Sequence, residues 1–91
     1  MTVTWAPAAL DDLIDVYTYI ADDSPERAEG VVRAITRTAE GLADFPLLGR
    51  VGALPGTREQ IMSRYRYKIV YRIGGEEVEI VRIIHTSRNW P

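Results

Sequence analysis

Apolar and polar positions along the chain change period once, close to residue 46. Before that point apolar residues recur every three or four positions; after it they alternate. Leu10, Leu13, Ile14, Tyr17 and Ile20 predict an amphipathic helix over about 7–22, with Asp11, Asp12 and Asp15 facing outward. Pro7 suits the first helical position, and Trp5 and Leu10 are spaced as a hydrophobic staple around the helix start. Ahead of it, the alternating and β-branched Thr2–Trp5 reads as a short strand. Ser24-Pro25-Glu26 then supplies a capping hydroxyl, a first-turn proline and an early acid. Ala28, Val31, Val32, Ile35, Ala39 and Leu42 continue a second stripe to about residue 43. So short a connection makes the two helices an antiparallel hairpin.

Phe45-Pro46 ends the helical pattern, because proline cannot extend a helix and restricts the residue before it. Residues 46–56, with Pro46, Gly49, Gly52, Pro55 and Gly56, have no period and read as a loop. Thr57–Ser63, Arg66–Ile73 and Val78–His85 read as strands, the last two joined by a Gly74-Gly75 turn. The expected structure is a single α+β domain over 1–91, ordered β-α-α-β-β-β, with the helical hairpin packed on a mainly antiparallel four-stranded sheet. With Gly74 and Gly75 as the loop, Ile73 faces Glu76. One face then holds Tyr67, Ile69, Tyr71, Val78 and Ile80, with Arg82 opposite Tyr67, and suits the core. The other holds Arg64, Arg66, Lys68 and Val70 across from His85, Ile83, Val81 and Glu79. That face is too apolar to be simply solvated and too basic for a core, so it is expected to receive a partner.

Composition narrows the chemistry. There is no cysteine and only one histidine among 91 residues, which leaves no disulfide, no thiolate site and no basis for a transition-metal cluster. No apolar run approaches a membrane span, and the first basic residue is Arg27, so neither a membrane segment nor a leader is expected and the chain is expected in the cytoplasm. Charge is unevenly divided: residues 1–45 carry three arginines against nine acids, and residues 46–91 seven arginines and one lysine against four acids. Acidic helices and a basic sheet either neutralise each other or leave a basic face for a partner.

Several short stretches, in order and spacing, carry a resemblance over nearly the whole chain: W-A-P-A-A-L-D-D-L-I-D-V-Y-T-Y-I-A at 5–21, F-P-L-L-G-R at 45–50, P-G-T-R-E at 55–59, Y-K-I-V-Y-R-I at 67–73 and V-E-I-V-R-I-I-H-T-S-R-N-W-P at 78–91. By these the chain resembles the RelE/ParE superfamily of type II toxins, and within it the ParE-like branch. The resemblance implies the same fold and a small toxin neutralised by a cognate, ParD-like antitoxin encoded beside it, with operator DNA reached only through that antitoxin. RelE-like members cut mRNA in the ribosome. ParE-like members trap DNA gyrase on cleaved DNA, block replication and serve plasmid stabilisation. A member without potent toxicity would act mainly in antitoxin-bound autoregulation.

Residues choose between these branches. A metal-independent ribonuclease must activate a ribose hydroxyl, stabilise a phosphorane and protonate a leaving oxygen. Arg58 and Arg88 fall where the resemblance places phosphate-binding arginines, and His85 has the imidazole chemistry to move protons, so an endonuclease would rest on these three. The lysine-rich segment of RelE-like enzymes is missing, since Lys68 is the only lysine, and the sequence reaches Pro91 without a RelE-type terminal tyrosine. The expectation is therefore a ParE-like toxin that inhibits gyrase by binding, with no catalytic residue, metal or cofactor of its own. Arg58, Arg88 and Trp90 are its target-binding candidates, although Trp90 reads first as an anchor for the sheet's end. The face of Arg64, Arg66, Lys68, Val70, Val81 and Ile83 is expected to take an antitoxin segment with acids flanking apolar anchors.

Overall fold

In the computed structural model, which describes residues 1–91, the chain runs β1 (Thr2–Trp5), α1 (Pro7–Ala21), α2 (Pro25–Gly41), β2 (Arg50–Val51), β3 (Arg58–Met62), β4 (Tyr67–Gly74) and β5 (Glu77–His85). The strands join in the order β1-β5-β4-β3-β2. β1 lies parallel to β5, and every other neighbouring pair is antiparallel. Both helices pack on one side, so the α+β architecture is as expected, with five strands in place of four. The extra strand is β2, whose two residues pair Arg50 with Glu59 and Val51 with Arg58. Two residues between Gly49 and Gly52 are too few to show a period. No helix is long and apolar enough to cross a membrane.

The second helix forms as its sequence dictates. The Ser24 hydroxyl accepts the Arg27 N–H at 3.1 Å, Pro25 opens the first turn, and Ala28, Val31, Ile35 and Ala39 are buried. The first helix is turned about its axis from the expected setting. Ala9, Val16 and Ile20 are buried and Leu13 partly so, whereas Leu10, Ile14 and Tyr17 are exposed. Asp12 faces inward, where it holds the end of β5, and the small side chain of Ala9 sits fully buried in the core. α1 also starts on Ala6 with no side-chain cap.

The β4–β5 hairpin departs from the expected register. Gly74 pairs with Glu77, so the loop is Gly75-Glu76, and Gly75 takes the positive φ (59°) that such a turn needs. Tyr67, Ile69, Tyr71, Val78 and Ile80 are buried under the helices, as alternation predicts. Beyond Ile80 the strand bulges: Tyr71 pairs with Ile80 but Val70 with Arg82, leaving Val81 as the extra residue. One inserted residue reverses every later side chain. Ile83 therefore joins the core, and His85, not Arg82, lies opposite Tyr67.

Residues 44–57 bridge α2 to β3 and are pinned from below. The buried Tyr71 hydroxyl donates to the Pro46 carbonyl at 2.7 Å and accepts the Gly49 N–H at 2.8 Å. A Cβ on Gly49 would lie 2.7 Å from that hydroxyl, so only glycine fits there. Arg58 donates to the Gly49 carbonyl, and Glu59, 3% exposed, accepts the Ala53 N–H at 2.9 Å. Burial pushes the Glu59 carboxyl up, but the Ala53 N–H, Lys68 and Arg50 together hold it below the ordinary 4.5.

Two expectations follow from this packing. Ile35→Ala and Ile69→Ala, both fully buried, each remove about 2–5 kcal/mol in urea unfolding, a large share of a small domain's stability. A carboxylate whose folded pKa lies below its unfolded value contributes stability that is complete above the unfolded value and lost as pH falls through the folded one. Unfolding free energy should therefore decline as pH drops below 4.5, and Glu59→Gln should flatten that acid limb. An acid limb unchanged in Glu59→Gln would contradict the assignment.

Candidate functional site

Three chain reversals meet at one end of the molecule: the α1–α2 turn, the β3–β4 turn and the end of β5. Between them lies a groove of about 730 Å³ bordered by Tyr19, Arg27, Arg64, Arg66, Tyr67 and His85. A second lobe continues past Tyr67 and His85 to Asp15, Ser87 and Arg88. Arg66 caps the β3–β4 turn with a positive φ of 61°, a conformation L-residues seldom adopt, and this aims the turn into the groove's mouth. Arg64 stands over the ring of Tyr65, 5.4 Å from its centroid.

The groove floor is aromatic. The rings of Tyr67 and His85 meet edge to face, 5.1 Å apart at 87°. Burial, and then the neighbouring Tyr19, push the Tyr67 phenol up, so it stays a neutral hydroxyl at physiological pH. His85 is held from its other side. Its Nδ1 accepts the Ser87 N–H at 3.1 Å, with the Ser87 hydroxyl 2.6 Å away. An Nδ1 used as acceptor puts the proton of the neutral ring on Nε2. In that tautomer His85 offers a donor, and no lone pair, on the side away from Ser87.

Below the groove, Asp12 ties α1 to β5. It accepts Arg82 Nε at 2.7 Å and Arg82 Nη2 at 3.0 Å, and also the Ile83 N–H at 2.9 Å. The hydrogen bond from Arg82 to Asp12 raises the guanidinium's already high pKa, so Arg82 stays charged. The flat of Arg82 carries the Trp90 ring, 5.5 Å from its centroid. Trp90 is half-buried, with an indole N–H that has no acceptor.

The residues singled out from the sequence separate into different places. Arg88 and His85 share the second lobe. Arg58 does not join them: it pairs with Tyr71, four residues along β4 from the Tyr67 that faces His85, or roughly 13 Å along the strand. The expected partner face is also divided. Arg64 and Arg66 lie in a turn, Lys68 is drawn onto Glu59 at 3.3 Å, Val70 is fully buried and Val81 is the bulge. Ile83 belongs to the core on the opposite side, because the bulge reverses its direction. Sequence reasoning missed Asp12, which looked like two other outward acids, and Tyr19. The His-Thr-Ser spacing at 85–87 was the available sign of a histidine fixed by a local serine.

Comparison with known proteins fits this geometry. Residues 3–90 match the family model described as ParE toxin of type II toxin–antitoxin system, parDE. The chain belongs to the ParE toxin family. It is 36% identical to the protein Y4kP of Sinorhizobium fredii over 98% of this chain and 92% of that one. It is 33% identical to toxin RelE2 of Caulobacter vibrioides over 94% and 96%. Among solved structures it superimposes on the chromosomal ParDE system from P. aeruginosa with a TM-score of 0.83 at 28% identity, covering 93% and 95% of the two chains. This ParE-family chain is thus a toxin of a type II toxin–antitoxin system.

In this ParE-family chain the Asp12 clasp should be measurable apart from toxicity. In a Trp5→Phe background, where Trp90 is the one indole left, Asp12→Ala should cost about 1.5–3 kcal/mol and shift Trp90 emission to the red. Unchanged emission would mean that Trp90 does not depend on the clasp.

Proposed function

We propose that this toxin inhibits DNA gyrase, and so DNA replication, by occupying a surface rather than by chemistry of its own, and that a cognate ParD-like antitoxin neutralises it in the cytoplasm. Operator DNA is reached only through that antitoxin. The observation that carries the reading is the fixed ring of His85. With Nδ1 engaged by the Ser87 N–H, the neutral ring has no free lone pair to take a proton from a ribose hydroxyl. Arg58 is spent on the Gly49 carbonyl, away from His85 and Arg88, so the three groups that an mRNA endonuclease would need do not converge. What lines the groove instead is mostly donors and rings, Arg27, Arg64, Arg66, Arg88, Tyr19 and Tyr67, with the acids Glu26 and Asp15 among them. Such a set suits docking against acidic or carbonyl-rich protein surface.

Purified toxin should inhibit supercoiling by gyrase and accumulate cleaved DNA, while leaving mRNA on ribosomes intact. His85→Ala should retain that inhibition to within about threefold, since a proton-transfer residue would lose about 10²–10⁴-fold. Arg88→Ala, at the groove's exposed margin, should weaken inhibition more than His85→Ala does. Ribosome-dependent mRNA cleavage that disappears in His85→Ala would overturn the proposal.

A further inference from the structure

A run of exposed apolar side chains lies away from the groove. Phe45, Leu47, Leu48 and Val51 are 68%, 68%, 62% and 78% exposed within seven consecutive residues. Single exposed apolar side chains need no explanation, but four large ones on one short segment form a patch of the kind that marks an interface. This segment is also held in place. Tyr71 bonds both Pro46 and Gly49, Arg58 bonds Gly49, and Arg50 and Val51 are laddered to β3. An ordered backbone loses little entropy on association, so the apolar area converts to affinity more fully than in a mobile loop.

Charge at the patch limits what can cover it. The Arg50 side chain is 63% exposed and its one ion pair is with Glu59, at 3.6 Å. Glu59 already holds the Ala53 N–H and the Lys68 ammonium, so Arg50 keeps its donors free for another carboxylate. At the other end of the segment, Asp44 is exposed and forms no ion pair. One cation and one anion around apolar side chains do not suit a polyphosphate. They suit a peptide. The patch also stands clear of the groove: the first two turns of α2 line the groove up to Val31, and the helix runs on to Gly41, about 15 Å further, before the segment begins.

We propose that residues 44–51 form an anchoring surface for the antitoxin, separate from the groove. It takes an amphipathic stretch whose apolar side chains cover Leu47, Leu48 and Val51, with an acid against Arg50 and a base against Asp44. This rests on the toxin–antitoxin reading above. It gives the antitoxin a hold at the end of the molecule opposite the groove.

The test is calorimetric titration of full-length toxin with the antitoxin encoded beside it. Leu47→Ser/Leu48→Ser/Val51→Ser changes only exposed side chains and should weaken binding at least about 100-fold, with an unchanged melting temperature. Arg50→Gln should weaken it about 5–10-fold and reduce its salt dependence, and it decides the matter if the triple variant melts early. Wild-type binding matched by both variants would overturn the surface and leave the toxin reading standing. Wild-type toxin that fails to bind the antitoxin would overturn both. Self-association of the free toxin in sedimentation, abolished in the triple variant, would assign the patch to a second copy and overturn the antitoxin assignment.

Discussion

One carboxylate decides how the helices sit on the sheet. β5 loses its β1 neighbour beyond Ile80, because β1 ends at Trp5 and the chain turns into α1. The Ile83 N–H is left at a half-covered edge, where an unpaired amide costs about 1–3 kcal/mol. Asp12 accepts it and takes the Arg82 fork with the same two oxygens. Since Asp12 lies on α1, satisfying that edge sets the helix rotation. Val16 and Ile20 then point into the core, and Leu10, Ile14 and Tyr17 point out. Trp90 rests on the guanidinium that Asp12 holds flat. The same contact thus orders the sheet edge, the helix face and the tail.

The bulge at Val81 has a comparable reach. Without it Arg82 would face the helices and Ile83 would face away from the core. With it His85 turns toward Tyr67 and becomes part of the groove floor. Ser87 then meets the ring Nδ1 with both backbone N–H and hydroxyl. With the proton on Nε2, a site that looks at first like a histidine among arginines is a donor surface. That is the physical basis for preferring binding over phosphoryl chemistry in this toxin.

The sequence was informative where local rules act alone. The Ser24 cap, Pro25, the burial stripe of α2 and the buried face from Tyr67 to Tyr71 all follow from capping chemistry and alternation. It was misleading where a distant contact overrides a local pattern. Leu10 and Ile14 look like core on a helical wheel, yet Asp12 must reach β5, and a carboxylate that meets an edge amide 71 positions away leaves no local signal. The bulge is hidden too, since Val81 fits an alternating strand as well as its neighbours do. Of the site, His85 and Arg88 were visible as chemistry. Their separation from Arg58 was not, because it depends on strand register. The basic face was read one bulge out of phase, which placed Ile83 on the wrong side.

If the end of β5 is a binding surface, His85 must hold its proton on Nε2 and keep Nδ1 as an acceptor. Nitrogen-15 chemical shifts of the His85 ring, measured by NMR on the full-length toxin at pH 8, read this directly. Binding without proton transfer predicts an unprotonated, hydrogen-bonded Nδ1 and a protonated Nε2. A proton on Nδ1, with Nε2 bare toward the groove, would give His85 the lone pair of a general base and contradict the binding role.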